Sequence, residues 1–307
     1  MATSDPELVL TVSFKALQRA KSTLEDFAKS YFPYLGLKLE DFFRFLDVLV
    51  WVEASIYQLD EDNEALTGRG GRDMTAAEAG ITRIGQVLRQ QGLWDERLEA
   101  ELQAGLRYWA LEQELCARLL AAPRPFAAPA PLSAEEVLRC HEAKSFDYRV
   151  LCLLLFRLSG RPYDESLLAF LRVDEMLVDM SDDLCDYEDD VLANSFNIFR
   201  CYCHVYGREA ELKLVERIGS LEARHRELLA GLPAAMREHH AARHEEACEG
   251  QGSDRWVFPS PIADEADFRR RVGEEEEQAQ RAGSGGGQAT RAGEAGGEPG
   301  GGRGADG

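Results

Sequence analysis

No apolar run in this 307-residue chain approaches a membrane span, which needs about 20 residues. Basic residues are also scarce: 35 Lys and Arg stand against 55 Asp and Glu, a formal charge of −20. That sign argues against nucleic acid as a partner, because phosphate backbones recruit cations. It does not exclude a small anion held through bridging metal ions. The seven cysteines form no Cys-x-x-Cys pair, so neither a disulfide framework nor a cysteine zinc site is suggested. Met1-Ala2-Thr3-Ser4-Asp5-Pro6-Glu7 has neither the basic start nor the apolar core of a secretory leader, and its early acidic residues argue against a plastid transit peptide. The expected setting is reduced and cytoplasmic. Gly-rich phosphate loops, Gly-x-Ser-x-Gly and His-Asp dipeptides are missing as well, which removes three common routes to phosphate or ester chemistry.

What is there is helical. A hydrophobic fraction of 45% is ample for a core, and the apolar residues recur at helical spacing with no strand pattern and no internal repeat. The spacing predicts helices over 7–32, 39–66, 74–121 (interrupted near Gly92), 133–159, 164–204 and 208–230. A polar helix with His239, His240 and His244 follows Pro233, and a short one runs from Asp264 to Val272. Ser133 with Glu136 three residues on is a capping box. The 133–159 helix is apolar on nearly every side through Val150–Phe156, and Arg139, Lys144 and Arg149 lie just ahead of that run. Beyond Gly273 the chain has no aromatic residue and cannot support a core. The organisation expected is an all-α domain over residues 1–272, a helical bundle around a central cavity, with a disordered Gly/Glu-rich tail over 273–307.

One stretch does not fit an ordinary core helix. Glu175, Asp179, Asp182, Asp186, Asp189, Asp190 and Asn197 fall within a stripe about 100° wide on a helix whose other faces are apolar. Unpaired carboxylates in a dry core would each cost several kcal/mol or be forced to protonate. A basic partner or divalent metal must therefore neutralise them. A second acidic segment, Asp60-Glu61-Asp62-Asn63-Glu64, sits at a helix C-terminus, where the macrodipole favours cations instead. Oxygen donors suit hard ions, so Mg²⁺ or Mn²⁺, more than one ion, is the natural cofactor. An EF-hand is excluded, since its sixth loop position would be Ala65 or Tyr187 rather than glycine. A di-iron bundle would want two Glu-x-x-His pairs, and only Glu222-Ala223-Arg224-His225 is present.

Asp182-Asp183-Leu184-Cys185-Asp186-Tyr187-Glu188-Asp189-Asp190 resembles the second metal-binding motif of class I terpenoid synthases, whose ligands occupy its first, fifth and ninth places. Here those are Asp182, Asp186 and Asp190, with Asp183 beside them. The resemblance assigns the first motif to residues 60–64, with Asp60 and Glu64 as ligands. That segment departs from the family's Asp-Asp-x-x-Asp at Glu61 and Glu64. By the same resemblance Arg149 or Arg139 would contact diphosphate, and Arg255, in Arg255-Trp256, would belong to a C-terminal lid. The implied activity is Mg²⁺-dependent ionisation of a prenyl diphosphate by a cyclase or related lyase. Alternatives are a chain-elongating or head-to-head prenyltransferase and, from another class, a non-catalytic helical protein of the same fold, its acidic stripe paired with Arg139, Lys144, Arg149 and Arg200.

Overall fold

The computed structural model describes residues 12–248 and 256–285, and among them every regular element is a helix. α1 (Phe14–Tyr31) begins where Ser13 Oγ accepts the N–H of Ala16 at 3.0 Å. Its buried Ala16 and Ala20 are small enough to let it lie close along α2 (Leu39–Thr67), where Ala54 and Tyr57 meet them. Between the two, a 3-10 turn at Phe32–Leu35 is closed by Gly36 at φ 61°, a left-handed conformation that glycine adopts without strain. α3 (Thr75–Gln90) and α4 (Glu96–Ala121) flank Gly92, and Asp95 caps α4 by accepting from Arg97 N and Leu98 N.

α5 (Ala134–Ala143) starts on the expected Ser133–Glu136 capping box. α6 (Phe146–Ser159) carries the expected apolar run. Every residue from Arg149 to Phe156 is inside, and the helix packs against α2 and α4. α7 (Glu165–Cys185), α8 (Tyr187–Ala193) and α9 (Ile198–Tyr206) carry the acidic segment and its continuation. α10 (Ala210–Gly231) packs on both α7 and α9. α11 (Ala234–Cys248) is the polar helix after Pro233. No described helix is long and apolar enough to cross a membrane.

Two long helices expected from the spacing are broken. The 133–159 helix breaks at Lys144-Ser145, with Ser145 at φ 55°. The 164–204 helix kinks at Asp186 and then stops at Asn194, φ 57°, before Asn197 caps α9 by accepting from Arg200 N at 3.0 Å. Asparagine tolerates the left-handed region better than most side chains, which a helix-period reading passes over.

The chain divides by its contacts after Glu265, and the second unit is described by itself. α12 (Glu265–Gly285) runs straight through Gly273, past the helix end expected at Val272. Ion pairs one turn apart, Arg270–Glu274 at 2.8 Å and Arg281–Glu277 at 3.1 Å, supply local support that apolar packing does not. Residues 286–307, the rest of the expected tail, lie outside the described residues.

Candidate functional site

The C-terminal turns of α2 and the acidic segment of α7 and α8 line one cavity of about 420 Å³. From α2 come Asp60 and Glu64, one turn apart. The other three members of that segment face elsewhere. Asn63 is buried and donates to Glu112 at 2.7 Å, Glu61 lies 3.6 Å from Lys15, and Asp62 accepts from Gln58 at 3.2 Å. The departure from Asp-Asp-x-x-Asp at Glu61 therefore falls on a side chain that does not reach the cavity. Asp60 is held in place by Trp109 Nε1 at 3.1 Å and Arg19 Nη1 at 3.3 Å, while Glu64 lies 4.0 Å from the same arginine.

Across the lining, Asp182, Asp186 and Asp190 keep helical register through the kink. Asp186 N still donates to Asp182 O, and Asp190 N to Asp186 O, each at 2.8 Å. Asp190 accepts from Ser195 Oγ and Asn197 Nδ2, each at 2.8 Å. Asp182 and Asp186 are exposed to the cavity. Asp183 also lines it but is occupied by the fold: it takes Lys144 Nζ and the Ile198 N–H, each at 2.6 Å. Of the six stripe carboxylates, Asp189 is exposed and lies outside this lining. Glu175 lies in a smaller neighbouring cavity, 4.0 Å from Arg149.

The break between α5 and α6 supplies the remaining wall. It turns Lys144, Ser145, Phe146, Asp147 and Tyr148 toward the cavity, and Ser145 Oγ reaches both oxygens of Asp179 at 2.7 and 2.6 Å. Arg149, expected at the diphosphate, instead braces this break. Its guanidinium donates to the carbonyls of Lys144 at 2.8 Å and Ala143 at 3.2 Å, and to Glu101 at 2.8 Å. Arg139 is exposed beside Glu135 at 3.9 Å, away from the lining. Arg200 is spent on Glu265, at 3.0 and 2.7 Å, rather than on the stripe. Arg255 lies outside the described residues.

Nine carboxylates line the cavity: Asp60, Glu64, Glu112, Asp147, Asp179, Asp182, Asp183, Asp186 and Asp190. Arg19 and Lys144 are its two cations. Pairing alone cannot balance that ratio, and the titration behaviour reflects it. Burial, then the charge of Asp60, pushes Glu64 up to about 7, Asp147 to about 6 and Glu112 to about 8. Burial and then Asp179 raise Asp182 to about 6, while burial and then Asp183 raise Asp190 to about 6. Lys144 is driven the other way from a neutral amine, since Asp183 and Asp179 outweigh the cost of its burial.

This donor set fits hard divalent cations. Carboxylate oxygens converge from α2, α4, α6, α7 and α8, several hold protons more tightly than in water, and no imidazole or thiol is among them. Apolar faces adjoin the charged wall in Ile56, Tyr57, Phe146, Tyr148 and Phe196. The volume lies within the range of about 300–1,000 Å³ usual for small-ligand sites. Arg19, Asp147 and Glu112 were missed in the sequence because they stand on three different helices and belong to no spaced motif. Compared with family models, with curated proteins and with solved structures, the chain matches none.

Proposed function

We propose that the cavity binds the diphosphate of a prenyl diphosphate through Mg²⁺ or Mn²⁺ and promotes ionisation of its allylic carbon–oxygen bond. The observation that carries this reading is the shared lining: Asp60 and Glu64 of α2 meet Asp182, Asp186 and Asp190 of α7 and α8 in one cavity. These five carboxylates would hold the ions. When bound, the ions supply positive charge that neutralises the diphosphate as it departs. Lys144 and Arg19 are the direct cationic contacts for its oxygens, a role that the resemblance had given to Arg149 or Arg139. The bond breaks heterolytically, its electron pair leaving with diphosphate, and the allylic cation remains beside Tyr57, Phe146 and Tyr148. Aromatic faces attract such a cation, and the apolar wall limits capture by water.

A second reading, a non-catalytic protein with an acidic cavity, draws support from Lys144, which already pairs with Asp183 at 2.6 Å. Thermal unfolding separates the two. Mg²⁺ with inorganic diphosphate is expected to raise the melting temperature far more than Mg²⁺ alone, because the anion completes a charge-balanced site found only in the folded state. Asp186→Asn is expected to remove that increment without lowering the stability of the metal-free protein. No increment, or one that the variant keeps, would leave the non-catalytic reading standing.

A further inference from the structure

Away from the acidic cavity, Asp174 of α7, His225 of α10 and His240 of α11 bring donor atoms within 4.8 Å of one another. His225 Nε2 lies 2.9 Å from Asp174 Oδ1. The two imidazoles stand 5.2 Å apart by ring centroid, and the Phe170 ring backs both, at 4.9 and 5.1 Å. The Tyr34 hydroxyl sits 3.5 Å from His240 Nδ1, the kind of outer partner that orients a ligating imidazole.

α11 itself poses a question. None of its described residues is buried, so apolar packing does not hold it. What faces inward is polar: His239 meets the Ser30 carbonyl at 2.8 Å, Arg243 meets Asp26 at 2.9 Å, and His240 joins the cluster. We propose that Asp174, His225 and His240 bind one divalent transition-metal ion of the zinc class, and that this ion fastens α11 to α7 and α10. Two imidazoles and one carboxylate form a borderline donor set that suits Zn²⁺ and not Mg²⁺. With bonds of about 2.0–2.1 Å, tetrahedral ligands stand about 3.3 Å apart, so Asp174 and His225 are already close to that spacing and His240 closes the rest by a side-chain adjustment. A fourth position remains for water. This site shares no residue with the acidic cavity, and it answers to softer ions than that cavity does.

A His225–Asp174 hydrogen bond backed by the tilted Phe170 ring is the plainer account of the same contacts, and it needs neither His240 nor a metal. Titrating the full chain with Zn²⁺ alone decides between them. One equivalent is expected to bind, to raise the melting temperature and to slow amide exchange along α11, while Mg²⁺ at the same concentration does none of these. Co²⁺ in its place is expected to show the visible bands of a low-coordinate ion without a thiolate charge-transfer band. His240→Ala leaves the His225–Asp174 pair intact, so the fold is kept, and it is expected to weaken Zn²⁺ by more than about 100-fold, since even an outer-shell partner is worth about 10–100-fold. His239→Ala is expected to bind as the parent does. Binding unchanged in His240→Ala, a thiolate band with Co²⁺, or no stoichiometric Zn²⁺ binding would each overturn the proposal.

Discussion

Lys144 Nζ lies 2.6 Å from Asp183 Oδ1, and the same carboxylate accepts the Ile198 N–H at 2.6 Å. One aspartate thus joins the α5–α6 break to the start of α9, and it is only 2% exposed. Lys144→Met is expected to destabilise the protein by about 3 kcal/mol, the lower end of what an unpaired buried charge costs. Adding Asp183→Asn should recover part of that loss, because the amide oxygen still accepts from Ile198 while the orphaned charge is gone. Chemical denaturation of the two single variants and the double variant measures the coupling. A double variant no more stable than Lys144→Met would mean that the pair does not bind the two elements together.

The metal-free protein is expected to lose stability as pH rises from about 4 to about 8. Asp147 at about 6 and Glu112 at about 8 bind protons more tightly folded than unfolded, where carboxyls titrate near about 4. In that window the unfolded state holds fewer protons, so stability falls with pH. Glu265, held at about 2 by His204 and Arg200 despite its burial, acts in the opposite sense. Its contribution is complete above its unfolded value and is lost as pH falls toward about 2. A stability maximum between about 4 and 5 follows from the two trends. Denaturation midpoints across this range check it, and a maximum at pH 7 or above would contradict it.

Glu53 is fully buried on α2, and burial holds its carboxyl well above the usual range, with the Tyr57 hydroxyl pulling only weakly the other way. Glu53→Met is expected to stabilise the protein at pH 8 by about 1–3 kcal/mol, the scale of the desolvation penalty of one buried polar group. It should also flatten the decline toward high pH. Destabilisation at pH 8 would show that the carboxylate has a partner that matters.

Gly105 on α4 stands where a Cβ would come within 2.4 Å of the Phe146 ring, the first residue of α6. Phe146 in turn meets Trp109 edge-on at 5.2 Å, and Trp109 donates to Asp60. Gly105→Ala is expected to cost about 1–3 kcal/mol through overpacking. It should also weaken ligand-induced stabilisation, because the displaced ring leads to a carboxylate of the cavity. A variant as stable as the parent would mean that the ring moves freely.

The all-α class, the buried 150–156 run and the Ser133 cap were legible in the sequence, since each rests on local periodicity or a fixed spacing. The shared lining of Asp60 with Asp182, Asp186 and Asp190 was implied by the resemblance alone, since nothing in the spacing of two distant acidic segments says that they meet. The helix breaks were not legible. Ser145 and Asn194 are left-handed without being glycine, and they are held by tertiary contacts: Ser145 by Asp179, and Asn194 by Arg200 and the Thr67 carbonyl. The hydrogen bonds of Arg149 were not legible for the same reason. Without the break there are no free carbonyls at 143 and 144 for it to satisfy. α12 outran its expected end because ion pairs along the helix offset Gly273.

Diphosphate release from allylic prenyl diphosphates of ten, fifteen and twenty carbons, with Mg²⁺ and with Mn²⁺, tests the central claim most directly. The account expects metal-dependent release that Asp182→Ala abolishes and that Asp60→Ala abolishes as well, although both proteins remain folded. Asp189→Ala, outside the cavity lining, should release diphosphate at the parent rate. No release with any chain length and either ion, or release that survives both cavity variants, would contradict it.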